Sequence, residues 1–272
     1  MPFAIHRSTN IYYEVRGKGE PLVMVMGLGG NGTAWELQYR ALEAEYQCIL
    51  VDNRGAGRSD MPDEPYTIEL FADDLAAVLD DIGTDSAHIM GASMGGLIAQ
   101  AFYHQYPQRV RSLILACTGV GAGDPAFIWP QPQVLDVLAE KQPDDNNLDY
   151  LKRYASIFYD EAFVANTPNL LNKIVEKRRE MPQPDYANKR QLEACFTHVP
   201  NSPRLANIHT PTLVVHGEHD QIWPTPNAHY LAEHIPHAQL AIIPNAAHML
   251  FIEQPDDFNQ AVRRFLQAHA ST

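Results

Sequence analysis

The residues with the clearest chemical meaning form the pentapeptide Gly91-Ala92-Ser93-Met94-Gly95, a G-x-S-x-G pattern. It lies between an apolar strand pattern at residues 87–90 and an amphipathic helix pattern at residues 94–106. The chain must therefore turn sharply at Ser93, and glycine neighbours leave room for so tight a turn. Such a turn strains the serine and exposes its hydroxyl at the end of the strand. Ser93 is the candidate nucleophile.

Attack on a carbonyl also requires donors for the oxyanion that develops. The Met94 N–H lies at the start of the predicted helix, where backbone amides are unpaired and the helix dipole is positive. A second donor is expected from the glycine-rich loop at residues 27–32, with the Leu28 N–H as the candidate. This loop lacks a complete G-x-G-x-x-G pattern and a P-loop lysine, so nucleotide binding is not expected.

A serine hydroxyl needs a base to become a nucleophile, and a carboxylate usually orients that base. The chain has 12 histidines. His248 is the preferred base because it lies in the short loop between the last predicted strand and the last predicted helix, at the same edge of the sheet as Ser93. His216, at the end of the preceding strand, and His219, in the adjoining turn, are the alternatives.

Asp220 is the preferred orienting acid because it follows directly on the predicted strand at residues 212–216. Its other common use would be to start the turn there. Glu218 in the same loop is an alternative, and so is Asp124, which follows the predicted strand at residues 113–117 and keeps the order Ser, Asp, His.

The elements that must position these residues alternate between strand and helix, which is typical of a sheet with helices on both faces. Strand patterns occur at residues 3–7, 11–16, 22–26, 48–51, 87–90, 113–117, 212–216 and 239–243. Several are continuous apolar runs, which favour interior parallel strands. Thr67 is expected to cap a helix that Gly83 ends, and further helices are expected at residues 225–235 and about 258–266.

Residues 121–208 have a different character, with many prolines and aromatic residues and helical rather than strand patterning. A segment of this length is too long for a loop. It is predicted to be a helical cap domain inserted into a core domain formed by residues 1–120 and 209–272, because ligands of open parallel sheets bind beyond the carboxyl ends of the strands. A helical module without a role in the site is the alternative.

Composition narrows the class of partner. A formal net charge of −13 argues against nucleic acid and anionic membranes, which favour cationic surfaces, so a small-molecule substrate is expected. The 3 cysteines are widely spaced and indicate neither a disulfide framework nor a metal site. No signal peptide or membrane-spanning run is evident, and a cytoplasmic protein without a cofactor is expected. The basic cluster Lys173, Lys177, Arg178 and Arg179 is interpreted as a solvated, salt-bridged helix face.

Together these residues resemble the α/β-hydrolase superfamily over nearly the whole chain outside residues 121–208. Ser93, Asp220 and His248 fall where its nucleophile, acid and base would fall. Residues 52–59 resemble its D-x-R-G-x-G-x-S turn, whose role is expected to be architectural. Position 93 is Ser, whereas haloalkane dehalogenases and epoxide hydrolases of this fold use Asp there. Many members have His-Gly where this chain has Met26-Gly27, so a contribution of that histidine to holding the loop is missing.

The region around Ser93 and the C-terminal region are similar to small serine esterases and to 3-oxoadipate enol-lactonases. This resemblance implies an α/β-hydrolase fold and cleavage of carboxylic esters or lactones of small, mostly apolar substrates through an acyl-enzyme on Ser93. C–C bond hydrolysis and a cofactor-free perhydrolase reaction on the same triad are alternatives, as is a non-enzymatic sensor of a small ligand. The meta-cleavage C–C hydrolases usually have Trp directly after the catalytic His, whereas Met249 follows His248 here.

Overall fold

The computed structural model describes residues 2–140 and 147–270, so residues 141–146 of the predicted insertion lie outside the described part. The described residues form eight strands: β1 Phe3–His6, β2 Thr9–Arg16, β3 Glu20–Val25, β4 Tyr46–Val51, β5 Ala87–Ala92, β6 Val110–Ala116, β7 Thr212–Gly217 and β8 Gln239–Ile243. Each corresponds to a predicted strand pattern. The ends differ from the prediction by up to three residues, as is usual for element boundaries.

The α-helices of the described residues are α1 Glu36–Leu42, α2 Ile68–Asp81, α3 Met94–Gln105, α4 Pro132–Ala139, α5 Leu148–Phe158, α6 Glu161–Asn166, α7 Leu170–Glu180, α8 Asp185–Thr197, α9 Pro226–His234, α10 Leu250–Glu253 and α11 Pro255–Ala268. The Thr67 hydroxyl caps α2 as predicted, accepting the Leu70 N–H at 3.0 Å. Gly83 follows this helix with a φ of +67°. The sequence did not predict α1 and α10, because helices this short show little periodicity.

The strands join in the order β1-β2-β4-β3-β5-β6-β7-β8. Pairing is antiparallel from β1 to β2 and from β2 to β4, and parallel from β4 through β3, β5, β6 and β7 to β8. The predicted α/β class and the mostly parallel sheet are therefore confirmed. The parallel pairing also places the carboxyl ends of β3, β5, β7 and β8 at one edge, where the loops with the candidate site residues begin.

Both faces of the sheet are buried. Alternate strand residues point to opposite faces: Val23 and Val25 of β3 pack in the cluster that includes α2, α3 and α9, and Leu22 and Met24 of the same strand pack in the cluster that includes α1, α10 and α11. Two helical layers thus remove both sets of side chains from water. This arrangement explains why the strands appear in the sequence as continuous apolar runs rather than as alternating patterns.

Helices α4 to α8 lie between β6 and β7 in the chain, within the predicted insertion, and residues 121–208 are called the helical insertion below. The insertion has a small apolar core of its own, around Tyr150, Leu151 and Leu170, against which Met249 and Ile252 also pack. No helix among the described residues has the length and apolar composition needed to cross a membrane.

The turn at residues 52–59 connects the sheet to the glycine-rich loop. Asp52 is buried and its carboxylate accepts the Gly32 N–H at 2.7 Å and the Arg58 N–H at 2.9 Å. The buried Arg54 guanidinium donates twice to Asp74, at 2.7 Å each. These contacts fix the turn to the end of the loop at Gly32 and to α2.

We expect Gly91→Ala to lower the free energy of unfolding by about 3 kcal/mol, because overpacking against rigid backbone is costly. A Cβ at position 91 would overlap the Gly95 carbonyl group. Gly83→Ala is the control, since a Cβ there meets nothing within 4 Å, and its positive φ alone costs about 1 kcal/mol. Urea unfolding measures both losses, and equal losses would contradict the steric explanation.

Candidate active site

Ser93 occupies the turn between β5 and α3 with φ of 56° and ψ of −120°. This conformation costs a non-glycine residue on the order of 1–3 kcal/mol, so the surroundings must impose it. The Ser93 N–H donates to Ala116 O at 2.9 Å, and Ser93 O accepts the Gly96 N–H at 2.9 Å and the Thr118 hydroxyl at 2.8 Å. The serine backbone is thus held on both sides by hydrogen bonds.

The glycines next to Ser93 are required by contact. A Cβ at Gly91 would overlap the Gly95 carbonyl, and a Cβ at Gly95 would overlap Val25 O of the neighbouring strand. Gly27, across from the turn, is equally restricted, because a Cβ there would lie 2.8 Å from Ser93 Cβ and 3.2 Å from Ser93 Oγ. The backbone of the glycine-rich loop therefore lies directly against the serine side chain.

His248 lies in the loop between β8 and α10, and its Nδ1–H donates to Asp220 Oδ2 at 2.9 Å. Both residues are buried. This contact fixes the proton of the neutral imidazole on Nδ1 and leaves Nε2 as the acceptor, the tautomer a general base requires. The described residues form no hydrogen bond with the Ser93 hydroxyl. Catalytic contacts are often longer before a substrate binds.

The Asp220 carboxylate is held by four groups. Its Oδ1 accepts the N–H groups of Ile222 and Trp223 at 2.9 Å each, and its Oδ2 contacts His248 and lies 3.3 Å from His216 Nε2. Burial alone would raise the pKa of Asp220, but the His248 charge and hydrogen bond, together with His216 and the Trp223 amide, lower it below its usual value. Asp220 is therefore ionised at neutral pH and can orient an imidazole.

The two alternative bases lie elsewhere. His216 is fully buried, and its Nε2–H donates to Trp223 O at 2.7 Å. Burial lowers the pKa of His216 and keeps the ring neutral. The His219 ring is 52% exposed and pairs with Asp160 at 2.6 Å, and the hydrogen bond to Asp160 raises the pKa of His219. His216 therefore lies next to the Asp220 carboxylate without replacing His248 as its hydrogen-bond partner. His219 links the loop after β7 to Asp160 of the insertion.

The two alternative acids also have other partners. Asp124 Oδ2 accepts the Ser202 N–H at 2.7 Å and its Oδ1 accepts the Ala126 N–H at 2.8 Å, so this carboxylate ties two parts of the insertion together. Glu218 is half-exposed, and its Oε2 lies 3.4 Å from the Asn245 N–H. Neither carboxylate contacts His248 in the described residues.

Cys117 lies near two of the candidate residues. It follows β6 with a φ of 41°, and its thiol is buried. Burial raises the pKa of the Cys117 thiol, the Asp220 charge raises it further, and the nearby Ser93 backbone amide opposes the shift. The Cys117 thiol is therefore close enough to Asp220 and to the Ser93 backbone for both to influence its pKa.

The candidate oxyanion donors lie on two sides of Ser93. Met94 is the first residue of α3, so its N–H has no partner within the helix. In the loop opposite, the Gly30 N–H donates to Gly27 O at 3.1 Å and the Gly29 N–H donates to Gln191 Oε1 at 2.9 Å. The Leu28 N–H forms no hydrogen bond with any described residue and is therefore available to a ligand.

The helical insertion contacts the histidine directly, through a residue that sequence reasoning missed. Phe158 ends α5, and its ring packs edge-on against the His248 ring at a centroid distance of 5.6 Å. The Met249 N–H donates to Phe158 O at 3.1 Å. No motif marked Phe158, because its contact with His248 joins two segments far apart in the chain.

Glu253 is a second residue that the sequence analysis missed. It lies in α10, is 6% exposed, and accepts the Asp160 N–H at 2.6 Å and the Ala247 N–H at 3.0 Å. Burial raises the pKa of Glu253 to about 7, although both hydrogen bonds and the charge of His248 oppose the shift. Glu253 thus connects the residue before His248 to the start of α6 in the insertion.

The basic cluster of the insertion is only partly the solvated face that its pattern predicts. Lys177 forms an exposed ion pair with Glu180 at 3.1 Å. Arg178 instead lies over the Tyr154 ring at 4.5 Å, and Tyr154 stacks on Phe158 at 4.1 Å. Arg178 therefore covers the outer side of the ring stack whose inner ring contacts His248. Among the described residues, no group of three or more His, Cys, Asp or Glu side chains is placed to hold a metal ion.

Known proteins with similar sequences perform several hydrolytic reactions. Residues 20–255 match the family model described as the alpha/beta hydrolase fold. A Klebsiella pneumoniae 2-hydroxy-6-oxononadienedioate/2-hydroxy-6-oxononatrienedioate hydrolase is 32% identical over 271 residues, covering 96% of this chain and 92% of that protein. A protein of Azorhizobium caulinodans named "Putative carbamate hydrolase RutD" is 31% identical over 268 residues, covering 97% and 98%.

The expected likeness to enol-lactonases and esterases is confirmed. The 3-oxoadipate enol-lactonase 2 of Acinetobacter baylyi is 28% identical over 246 residues, covering 90% of this chain and 88% of that protein. Among solved structures, a thermophilic esterase from Thermogutta terrifontis superposes with a TM-score of 0.85 at 26% identity, covering 99% of this chain and 98% of the esterase chain.

We expect Glu253→Gln to change how stability depends on pH. The pKa of Glu253 is about 7 in the folded protein against the ordinary 4.5, so its contribution to stability is fully present below pH 4.5 and is lost as the pH rises to 7. Across this window the wild-type protein should lose up to about 3 kcal/mol relative to the variant.

Urea unfolding at a series of pH values measures this difference in the free energy of unfolding. The half-exposed Glu218→Gln serves as the matched control for loss of a carboxylate in the same region. A difference between wild type and Glu253→Gln that stays constant with pH would show that Glu253 does not titrate in this range.

Proposed function

Because the chain belongs to the α/β-hydrolase family, we propose that it is a serine hydrolase that cleaves carboxylic esters or lactones of small, mostly apolar substrates. The observation that carries the proposal is the buried His248–Asp220 hydrogen bond of 2.9 Å at the sheet edge where the strained Ser93 lies. A histidine held in this tautomer by an ionised carboxylate is the arrangement that activates a serine.

In the proposed reaction, Ser93 Oγ attacks the substrate carbonyl carbon while His248 Nε2 takes the hydroxyl proton. Asp220 stabilises the imidazolium through Nδ1–H. His248 then returns the proton to the leaving alcohol, which leaves an acyl group on Ser93. Water, deprotonated by His248, attacks the acyl carbon and releases the carboxylic acid and the free serine.

The oxyanion of each tetrahedral intermediate would bind the N–H groups of Leu28 and Met94. Two features support this assignment: Gly27 packs against the Ser93 side chain, and Met94 begins a helix whose dipole favours negative charge. Each donor would contribute about 3 kcal/mol to stabilising the transition state.

We propose that the helical insertion, residues 121–208, is the cap domain of the site and that residues 1–120 and 209–272 form its core domain. The contact of Phe158 with His248 supports this role, because it places an apolar side chain of the insertion at the base. Phe158, Tyr154 and Met249 form an apolar surface next to the histidine. Such a surface favours an apolar part of a small-molecule substrate.

C–C bond hydrolysis is the second candidate, and the 32% identity to the Klebsiella pneumoniae hydrolase supports it. The same triad can serve either reaction, so the two candidates are distinguished by which substrates the protein turns over. Met249 after His248, where the C–C hydrolases usually have Trp, favours the ester or lactone reaction. A panel of p-nitrophenyl esters, lactones, carbamates and vinylogous 1,5-diketones distinguishes these reactions, and turnover of the diketones alone would replace the ester proposal.

Ser93→Ala should abolish p-nitrophenyl ester turnover, with kcat falling by at least about 10³-fold because no covalent intermediate can form. Steady-state kinetics and covalent labelling by a fluorophosphonate, mapped to a tryptic peptide, measure the loss. Ser156→Ala, an exposed serine of the insertion, is the matched control and should retain wild-type kinetics. Full turnover by Ser93→Ala would contradict the proposal. Failure of the wild type to be labelled, combined with tight binding of an unreactive ligand, would indicate a sensor.

Asp220→Asn should lower kcat by about 10³- to 10⁴-fold, because an amide at this position favours the wrong imidazole tautomer. Asp124→Asn is the comparison, since Asp124 holds the backbone of the insertion rather than His248, and its folded form should keep kcat within about tenfold of wild type. The test compares kcat of the two variants, each shown to be folded by circular dichroism. A larger loss in Asp124→Asn than in Asp220→Asn would reassign the acid.

A further inference from the structure

Gln191 of α8 links the insertion to the glycine-rich loop at residues 27–32. Its side chain is fully buried, and its Oε1 accepts the Gly29 N–H at 2.9 Å. Its Nε2 donates to Arg54 O at 2.8 Å. One amide of the insertion therefore joins this loop to the turn at residues 52–59, across a separation of more than a hundred residues in each case.

The hydrogen-bond partners allow only one orientation of the Gln191 amide. Gly29 offers an N–H and Arg54 offers a carbonyl. Rotating the amide by 180° would place the Gln191 NH₂ group against the Gly29 N–H and the Gln191 oxygen against the Arg54 carbonyl, and neither pair can form a hydrogen bond. Gln183 reinforces this orientation, because its Nε2 donates to Gln191 Oε1 at 3.0 Å and to Gly55 O at 2.7 Å. Asn188 Nδ2 donates to Gln183 Oε1 at 3.0 Å and completes the set.

This contact restricts the backbone of the loop next to Leu28. The Gly30 N–H closes a turn onto Gly27 O, and Gln191 takes the Gly29 N–H. Holding the Gly29 amide fixes the plane of the Leu28–Gly29 peptide and so limits rotation at Leu28. Gly29 has a φ of +69°, and a Cβ there would lie 3.0 Å from Gln183 Oε1, so this position favours glycine.

We propose that Gln191 is a positioning residue that holds the loop in the conformation in which the Leu28 N–H can bind the oxyanion. This inference rests on the proposed function. It makes the oxyanion site depend on the insertion: the core provides the serine, the base and both donor amides, and the insertion sets the orientation of one of those amides. A variant that loses only this contact keeps the triad but binds the transition state less well.

The test is Gln191→Leu, which keeps the approximate volume and removes both hydrogen-bonding functions. We expect kcat for a p-nitrophenyl ester to fall by about 10- to 100-fold with KM within about threefold of wild type, because a small displacement at the reacting centre affects the transition state more than ground-state binding. Affinity for an aryl trifluoromethyl ketone, whose adduct with a serine carries an oxyanion, should fall by the same factor as kcat. Gln38→Leu is the matched control, a fully buried glutamine that donates to Phe251 O at 2.8 Å.

Gln191→Glu provides a second test, the pH dependence of kcat, which a merely structural role of Gln191 would not change. A protonated carboxyl can accept from Gly29 and donate to Arg54 O, whereas the ionised form can only accept. The ratio of its kcat to that of wild type should therefore fall as the pH rises. Wild-type kcat and ketone affinity in folded Gln191→Leu would overturn the inference, as would equal losses in Gln38→Leu. A wild-type protein that neither binds the ketone nor is labelled at Ser93 would instead overturn the proposed function, and the inference with it.

Discussion

The candidate site depends on one backbone constraint, the strained conformation of Ser93 with its positive φ. This conformation lets a parallel strand pass into a helix within a single residue, and it gives Ser93 and Met94 their places at the end of the sheet. The surroundings impose it through contacts rather than through local preference. Gly91 and Gly95 are present because any side chain would overlap backbone carbonyls, and the hydrogen bond from Ser93 N to Ala116 anchors the turn to the neighbouring strand.

The sheet extends this local constraint to the other site residues. Parallel pairing from β5 through β6 and β7 to β8 gathers the loops after these strands at one edge. Asp220 and His248 come from two of those loops and meet in a buried hydrogen bond. Desolvation would favour a neutral carboxyl group, and the contact with His248 is the main influence that lowers the pKa of Asp220 against it, with a smaller contribution from the Trp223 amide. The charge on Asp220 is thus maintained mainly by His248, with help from the turn that follows β7.

The helical insertion contacts the site from two directions. Phe158 packs on the imidazole of His248, and Glu253 ties the loop before this histidine to the start of α6. Gln191 ties the opposite loop to α8. These contacts couple His248 and the glycine-rich loop to the same inserted segment. A displacement of the insertion would therefore affect both sides of the serine at once, whereas Ser93 itself is held by the sheet.

The sequence alone determined the architecture and the preferred site residues. Continuous apolar runs and a glycine-flanked serine are local signals, so the eight strands, the helix at Thr67 and the turn at Ser93 were all predictable from short windows. Only the tertiary structure decided which acid contacts His248, since Asp220, Glu218 and Asp124 all follow strands and differ only in what surrounds them. It also revealed the contacts of Gln191, Phe158, Glu253 and Arg178. Their partners lie far away in the chain, and a buried polar or aromatic side chain acquires its meaning from the groups that the fold brings to it.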